Sequence, residues 1–366
     1  KERTQTMKKR KLLAQLIVLA GVAFAGSFNP SAVSAGDASC DSCGSVAECV
    51  CDCISWYARG EALFLTRDAP ERLDLIQDDY LPGTPPVLST RSGDFSFEPG
   101  FRVTLGRQLG PRAIEASYFG LYNWNSFAEV DSADPDLDSL MTADSFHPMT
   151  SPFVYFGRDF DGAAYFAETE VHNVELNLRR QYNSVFTLLA GFRYIHVGDS
   201  FEILTGEFYE PDSNFQYEGI RGYDTDTNSD LFGFQLGGQL NYNVGADLCV
   251  ELKGKAGLHL GRYGQKQIIY AYSDIDDPVA GYSYEGDVFF TASDHAWGMA
   301  STVDVGATAV YQVTDNVDFR IGYEAMAWSG LALAPEQLND SVDGTETHRD
   351  GIIVLSGATV GLDVTY

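Results

Sequence analysis

In LCVELKGKAGLHLG, which starts at Leu248, the residues Val250, Leu252, Ala256, Leu258 and Leu260 take alternate positions, with Glu251, Lys253, Lys255 and His259 between them. Successive side chains of a strand point to opposite faces, so one face of this strand is apolar and the other charged. SDLFGFQLGGQLNYN sorts the same way, with Phe232, Phe234, Leu236, Leu240 and Tyr242 opposed to Gln235, Gln239 and Asn241. Val317, Phe319, Ile321, Tyr323 and Ala325 likewise oppose Asp318, Arg320 and Glu324. Charges in mid-strand cannot face lipid, where each costs about 2–4 kcal/mol near the midplane, and a soluble core rejects them as well. A sheet closed on itself resolves the conflict: apolar residues meet hydrocarbon outside, and charges line a water-containing or ion-paired lumen. The lumen candidates are Arg102, Glu115, Glu175, Arg179, Arg193, Glu251, Lys253, Lys255, Asp304, Asp318, Arg320 and Glu324. In a narrow bore their long side chains can neutralise one another; the plainer alternative for any one of them is a solvated strand end.

The connections sort by length. Segments 56–67, 95–109, 112–125, 165–182, 186–204, 231–243, 248–263, 297–313 and 317–328 and a closing strand ending in GATVGLDVTY read as strands. Some joins are tight, such as Gly110-Pro111, Asn183-Ser184, VGAD and TDN; others, such as 126–164 and 329–349, are long and rich in Asp. The region 268–294 shows no clear period. The expected fold is all-β: a single transmembrane antiparallel β-barrel of about 10 strands (8 to 12), with short periplasmic turns and long acidic extracellular loops lying in water. A soluble β-sandwich is the competing architecture, but its connections would not divide so regularly. Trp56, Tyr57, Tyr122, Trp124, Tyr182, Tyr194, Tyr242, Tyr263, Trp297, Tyr311, Tyr323 and Trp328 gather near strand ends, as two interfacial girdles would require.

The N-terminus carries a basic cluster, Lys8 to Lys11, an apolar run from Leu12 to Gly26, and the small residues Val33-Ser34-Ala35. That order defines a secretory signal peptide over residues 1–35, followed by a Cys-rich segment over 36–54 and the barrel over 55–366. The formal net charge is −28, and removal of the basic leader leaves the remainder more acidic still. Such a chain repels nucleic acid and suits divalent cations or basic surface partners, although solubility alone would also explain the charge. Cys40, Cys43, Cys49, Cys51 and Cys53 are disulfide candidates in an exported chain, and zinc ligation by thiolates is the alternative.

Catalytic patterns are missing: there is no G-x-S-x-G elbow, H-E-x-x-H helix or P-loop. Asp294-His295 and His348 fall near the outer loops, but adjacent strand residues point to opposite faces and make a poor dyad. Asp224, Asp226 and Asn228 are spaced like the start of a calcium loop, yet Ser229 replaces the turning glycine and Gln235 the bidentate glutamate. A weak divalent-cation site at the rim, or a plain polar strand entrance, remains. No cofactor and no enzymatic activity are expected.

WYARGEALFLTRD, LLAGFRYIHVGDSF, DLFGFQLGGQLNY, VYQVTDNVDFRIGYEAMAWSGLALAPEQL and the closing GATVGLDVTY resemble the putative beta-barrel porin family, seventh class, of planctomycete outer membranes. The resemblance implies an exported outer-membrane barrel and supplies no catalytic residue. Tyr366 resembles the closing-strand insertion signal read by the barrel-assembly machinery, so the chain's end is expected within the structure, sealing the barrel. Outer-membrane lipid and that machinery are the implied partners. Three roles follow in order: a narrow ion-paired barrel with an envelope-structural or surface-interaction role, a small passive diffusion porin, and an outer-membrane hydrolase acting at the extracellular rim.

Overall fold

A computed structural model describes residues 54–78, 85–95, 97–131, 137–139, 162–206, 219–273, 287–338 and 346–366. Its strands are β1 (Ile54–Arg67), β2 (Asp74–Asp78), β3 (Pro86–Ser89), β4 (Glu98–Leu109), β5 (Arg112–Asp131), β6 (Leu137–Ser139), β7 (Gly162–Gln181), β8 (Phe186–Gly206), β9 (Gly219–Asn243), β10 (Leu248–Ser273), β11 (Asp287–Thr314), β12 (Val317–Leu331) and β13 (Gly351–Thr365). Ten of them form a closed barrel in the order β1-β13-β12-β11-β10-β9-β8-β7-β5-β4, and β3-β2-β6 form a separate small sheet. The seam is antiparallel: β1 pairs with β13 on one side and β4 on the other, and Trp56 and Tyr366 exchange backbone hydrogen bonds at 3.0 and 2.9 Å. Tyr366 is thus tied into the ladder by its backbone while its ring stays exposed. The Gly110-Pro111 turn joins β4 to β5, with Gly110 at φ 61°, a left-handed conformation that glycine adopts without a Cβ clash.

The outer wall is apolar over a defined band. Cross-strand rows such as Val174–Tyr194–Phe232–Leu260–Met299 run around it, and Phe234, Leu236, Leu258, Val305 and Ile321 are all exposed there. Along β9 the band runs from Tyr242 to Phe232, about the 9–11 residues a tilted strand needs to cross a bilayer. It ends at the row His172–His196–Asp230–Arg262–Trp297, beyond which the outer face carries Glu168, Glu170, Asp226 and Lys266.

The strands extend past the bounds expected from the sequence. The described residues of the region 268–294, expected to be irregular, are strand: β10 continues to Ser273 and β11 starts at Asp287, with Ile268 opposite Thr291. The ladder persists beyond the hydrocarbon, where the outer face turns polar, so the hydropathy contrast fades while the pairing does not.

Three connections also depart from the expectation of loops in water: those between β1 and β4 and between β5 and β7, which supply the small sheet, and the one after β12. Leu75, Ile76, Leu88 and Leu137 of the small sheet are buried against Tyr165, Phe201, Ile203, Tyr223 and Ile269 of the barrel wall. The connection after β12 turns inward: Leu331, Ala332 and Leu333 are fully buried with Trp124, Ile195, Val197, Tyr263 and Trp328, and Ala334 is fully buried in the cluster of the small sheet. A single 3-10 turn follows at Ala334–Gln337. The upper barrel therefore has an apolar core, in which each fully buried leucine or isoleucine stabilises by about 1.5–3 kcal/mol. Of the expected girdle, Tyr57, Trp124, Tyr263 and Trp328 lie on the inner wall, Trp56, Tyr182, Tyr194, Tyr242, Trp297, Tyr311 and Tyr323 on the outer, and the side chain of Tyr122 lies outside the described set.

Candidate functional site: the inner wall

Every second residue of the membrane-crossing strands points to the barrel axis, and these positions hold an ion-pair network in tiers. At the turn end, Arg59 of β1 donates from Nε and Nη2 to Asp363 Oδ2 of β13 at 3.1 and 2.8 Å. Arg320 of β12 forks onto Glu251 of β10. Arg179 donates to Glu115 Oε2 at 2.9 Å and to Gln239 Oε1 at 2.7 Å, and Tyr57 donates to the same Glu115 oxygen at 2.9 Å. Asp318 faces Asp363 across the β12–β13 ladder and, among the described residues, joins none of these pairs.

The middle tier crosses the bore. Arg102 of β4 reaches Glu324 of β12 at 2.5 and 3.1 Å, past the two intervening strands β1 and β13, and Glu61 at 3.3 Å. Lys253 Nζ donates to Glu324 Oε2 at 2.8 Å from the other side. Above it, Glu175 accepts Lys255 Nζ at 2.7 and 2.9 Å, as well as the amides of Asn173, Asn177 and Gln235. Arg193 donates to Asp304 at 2.7 Å and Asn173 at 2.6 Å while lying over the Trp328 ring, and Trp328 Nε1 donates to Asp304 at 3.3 Å. All twelve charged residues named from the sequence lie on this inner face. Arg193 is fully buried, and its charge is offset by Asp304 on Nη1 and the Asn173 oxygen on Nε, while Nη2 has no hydrogen-bond partner among the described residues.

Sequence reasoning missed Arg59, Glu61 and Asp363, which sit in the same alternation as residues it did name, between Ala58, Ala62, Leu362 and Val364. It also missed a second polar centre higher up. Arg67 meets Asp199 at 2.5 Å and Thr169, and Asp199 Oδ2 accepts the Ala334 N–H at 2.9 Å. The inward segment is held further by Thr227 and Ser229, whose hydroxyls donate to the Ala332 carbonyl at 3.0 and 3.4 Å. Gln267 donates to the Gln337 carbonyl at 2.9 Å, and the Gln337 side chain exchanges hydrogen bonds with the His348 backbone at 2.9 and 2.8 Å. No sequence period marks this contact, because it joins residues more than 100 positions apart.

The remaining candidates are placed as follows. Asp224, Asp226 and Asn228 share the outer face of β9 above the apolar band, and among the described residues no group of three or more His, Cys, Asp or Glu is arranged to hold a metal ion. Asp294 points inward and accepts Thr347 N–H and Oγ1–H at 3.0 and 2.8 Å, while His295 points outward, so the two do not meet. Cys40, Cys43, Cys49, Cys51 and Cys53 and the expected signal peptide lie outside the described residues; Cys249 is a free thiol at the turn end of β10.

A closed ring with charges inside, a lipid-width apolar band outside and short turns at one end defines an outer-membrane β-barrel protein. Residues 78–358 match the family described as Putative beta barrel porin-7 (BBP7), and the chain belongs to that family. No curated protein matches the chain. Among solved structures, it is similar to the outer membrane protease OmpT from Escherichia coli at 13% identity and TM-score 0.43, over 85% of this chain and 97% of that one. The P. putida toluene transporter TodX matches at 8% identity and TM-score 0.29, over 85% and 89% of the two chains. A Pseudomonas aeruginosa FadL homologue matches at 11% identity and TM-score 0.26, over 86% and 90%.

Proposed function

We propose that this protein is a narrow, ion-paired barrel that stays closed and serves the envelope as a structural or surface-interaction element, exported by the leader at residues 1–35. The observation that carries the reading is the double filling of the bore. Below, Glu324 joins Arg102 and Lys253, which stand on opposite walls, so that one ion-paired bridge spans the bore. Above, Leu331 to Ala334 exclude water from the interior. The charges are balanced by neighbours of opposite sign, unlike a channel lined by one sign to concentrate counter-ions. The family name favours a second reading, a small passive diffusion porin. Planar-bilayer recording of the refolded protein separates them. The closed barrel gives no stable openings in the wild type; steady unitary currents that fall when Gly306 or Gly322 on the inner wall is replaced by a bulky residue would establish the porin instead.

A further inference from the structure

The apolar band ends differently on different sides of the barrel. Over β7–β9 it gives way to acids: Glu168, Glu170, Glu202, Asp224, Asp226 and Asp230. Over β10–β11 it gives way to bases. Arg262 lies directly across from Trp297, Gly264 from His295, and Lys266 from Ser293, all on the outer face. His295 is therefore diagonal to both Arg262 and Lys266, and diagonal neighbours are about 7–8 Å apart, within reach of long side chains. Gly264 supplies the floor between them: a Cβ there would sit 3.0 Å from His295 Nδ1, so the imidazole leans over the space a side chain would fill.

We infer that Arg262, Lys266 and His295, with Trp297 beside them, form a docking site on the outer wall for the phosphate of a membrane-lipid headgroup. The first support is continuity. Leu258, Leu260 and Met299, directly below, are exposed members of the band that meets acyl chains, so a lipid lying on them brings its phosphate to the height of Arg262. The second is chemistry. Arginine presents a planar fork that matches phosphate oxygens, and tryptophan, 60% exposed here, prefers the headgroup boundary. The third is charge. Two cations, Arg262 and Lys266, flank the His295 imidazole at the edge of the lipid band in a chain whose formal net charge is −28.

The facing acids do not close the site. Asp230, across from Arg262, already accepts His196 Nδ1 at 2.9 Å and Tyr194 Oη at 2.8 Å. Asp226 lies across from Lys266, with Asp224 and Glu202 beyond it, so the acids line the β9 side and the site opens toward β11. Arg349 donates to the Trp297 carbonyl from the inner side, beside Tyr263 and Gly298, and takes no part in the outer-wall site.

The test measures lipid retention by the refolded full chain in detergent, using native mass spectrometry with phosphatidic acid, phosphatidylcholine or inorganic phosphate as the probe. The wild type is expected to hold phosphatidic acid about tenfold more tightly than phosphatidylcholine, and Arg262→Ala/Lys266→Ala to lose most of that preference. Lys266→Glu alone should reduce it in the same direction, which guards against a double variant that refolds poorly. Arg180→Ala, which removes an exposed outer-face base at the turn end, should leave it unchanged. Equal retention of the two lipids by the wild type, an equal loss in Arg180→Ala, or an undiminished preference in the Arg262 and Lys266 variants overturns the inference. Displacement of the lipid by equimolar inorganic phosphate overturns it in favour of a free-anion site.

Discussion

Replacing Glu324 with glutamine tests whether the inner charges are held by one another. Glu324 accepts two bonds from Arg102 and one from Lys253, and its own side chain is 5% exposed. Breaking a buried pair by removing one partner costs about 3–5 kcal/mol, because the other charge stays buried. Two features reduce that figure here. Arg102 keeps Glu61 at 3.3 Å, and Lys253 is about one-third exposed, so water screens it. The expected loss is about 2–3 kcal/mol. Urea unfolding in lipid vesicles, followed by the emission of buried Trp124 and Trp328, reads it directly. Arg102→Met/Glu324→Met, which leaves Lys253 and Glu61 to pair, should lose at least about 1 kcal/mol less than the sum of the single changes. A side chain facing lipid would give the opposite sign, since neutralising it removes a burial penalty of about 2–4 kcal/mol. Unchanged or increased stability in Glu324→Gln, or strict additivity in the double variant, refutes the reasoning.

Three further outcomes follow from the same structure. Phe234→Arg, at an exposed site in the apolar band, should cost about 2–4 kcal/mol in vesicles and reduce the heat-modifiable folded band on gels. Trp328→Ala should lose about 3–5 kcal/mol by urea unfolding, since the ring is fully buried under Arg193 and beside Phe119. Glu336, on the inward segment, has its carboxyl pushed up to about 8, first by burial and then by the charges of Asp350, Glu71 and Asp199. A raised folded value means that the stabilisation is complete below the ordinary value of 4.5 and is lost as pH rises through about 8. Hydrogen exchange over residues 331–338 should therefore accelerate between those limits, and Glu336→Gln should flatten the profile.

The barrel was legible because two periods coincide in the sequence. Alternation fixed the inward residues, as in Glu251, Lys253 and Lys255, and the contrast of tight and long connections fixed the closure. Both signals depend on hydrocarbon outside. Where the strands rise above the band the outer face becomes polar, so Gln265 to Ser273 and Asp287 to Ala296 lost their pattern although their backbone ladder continues. The inward segment was illegible for another reason. LALAPEQL reads as an apolar turn of a loop, and only the distant Asp199, Thr227 and Ser229 show where its backbone groups are satisfied. The aromatic count misled in the same way, because Trp124 and Trp328 serve the interior rather than the lipid boundary.

The sidedness of β10 is the most direct measure of the whole account. A fluorophore attached at position 255 and, in a second sample, at position 258 would be compared in vesicles containing nitroxide-labelled acyl chains, the native cysteines having been replaced. Strong quenching at 258 with little at 255 is the predicted result, because Lys255 binds Glu175 inside while Leu258 is exposed on the band. Equal quenching at both positions, or the reverse order, would contradict it.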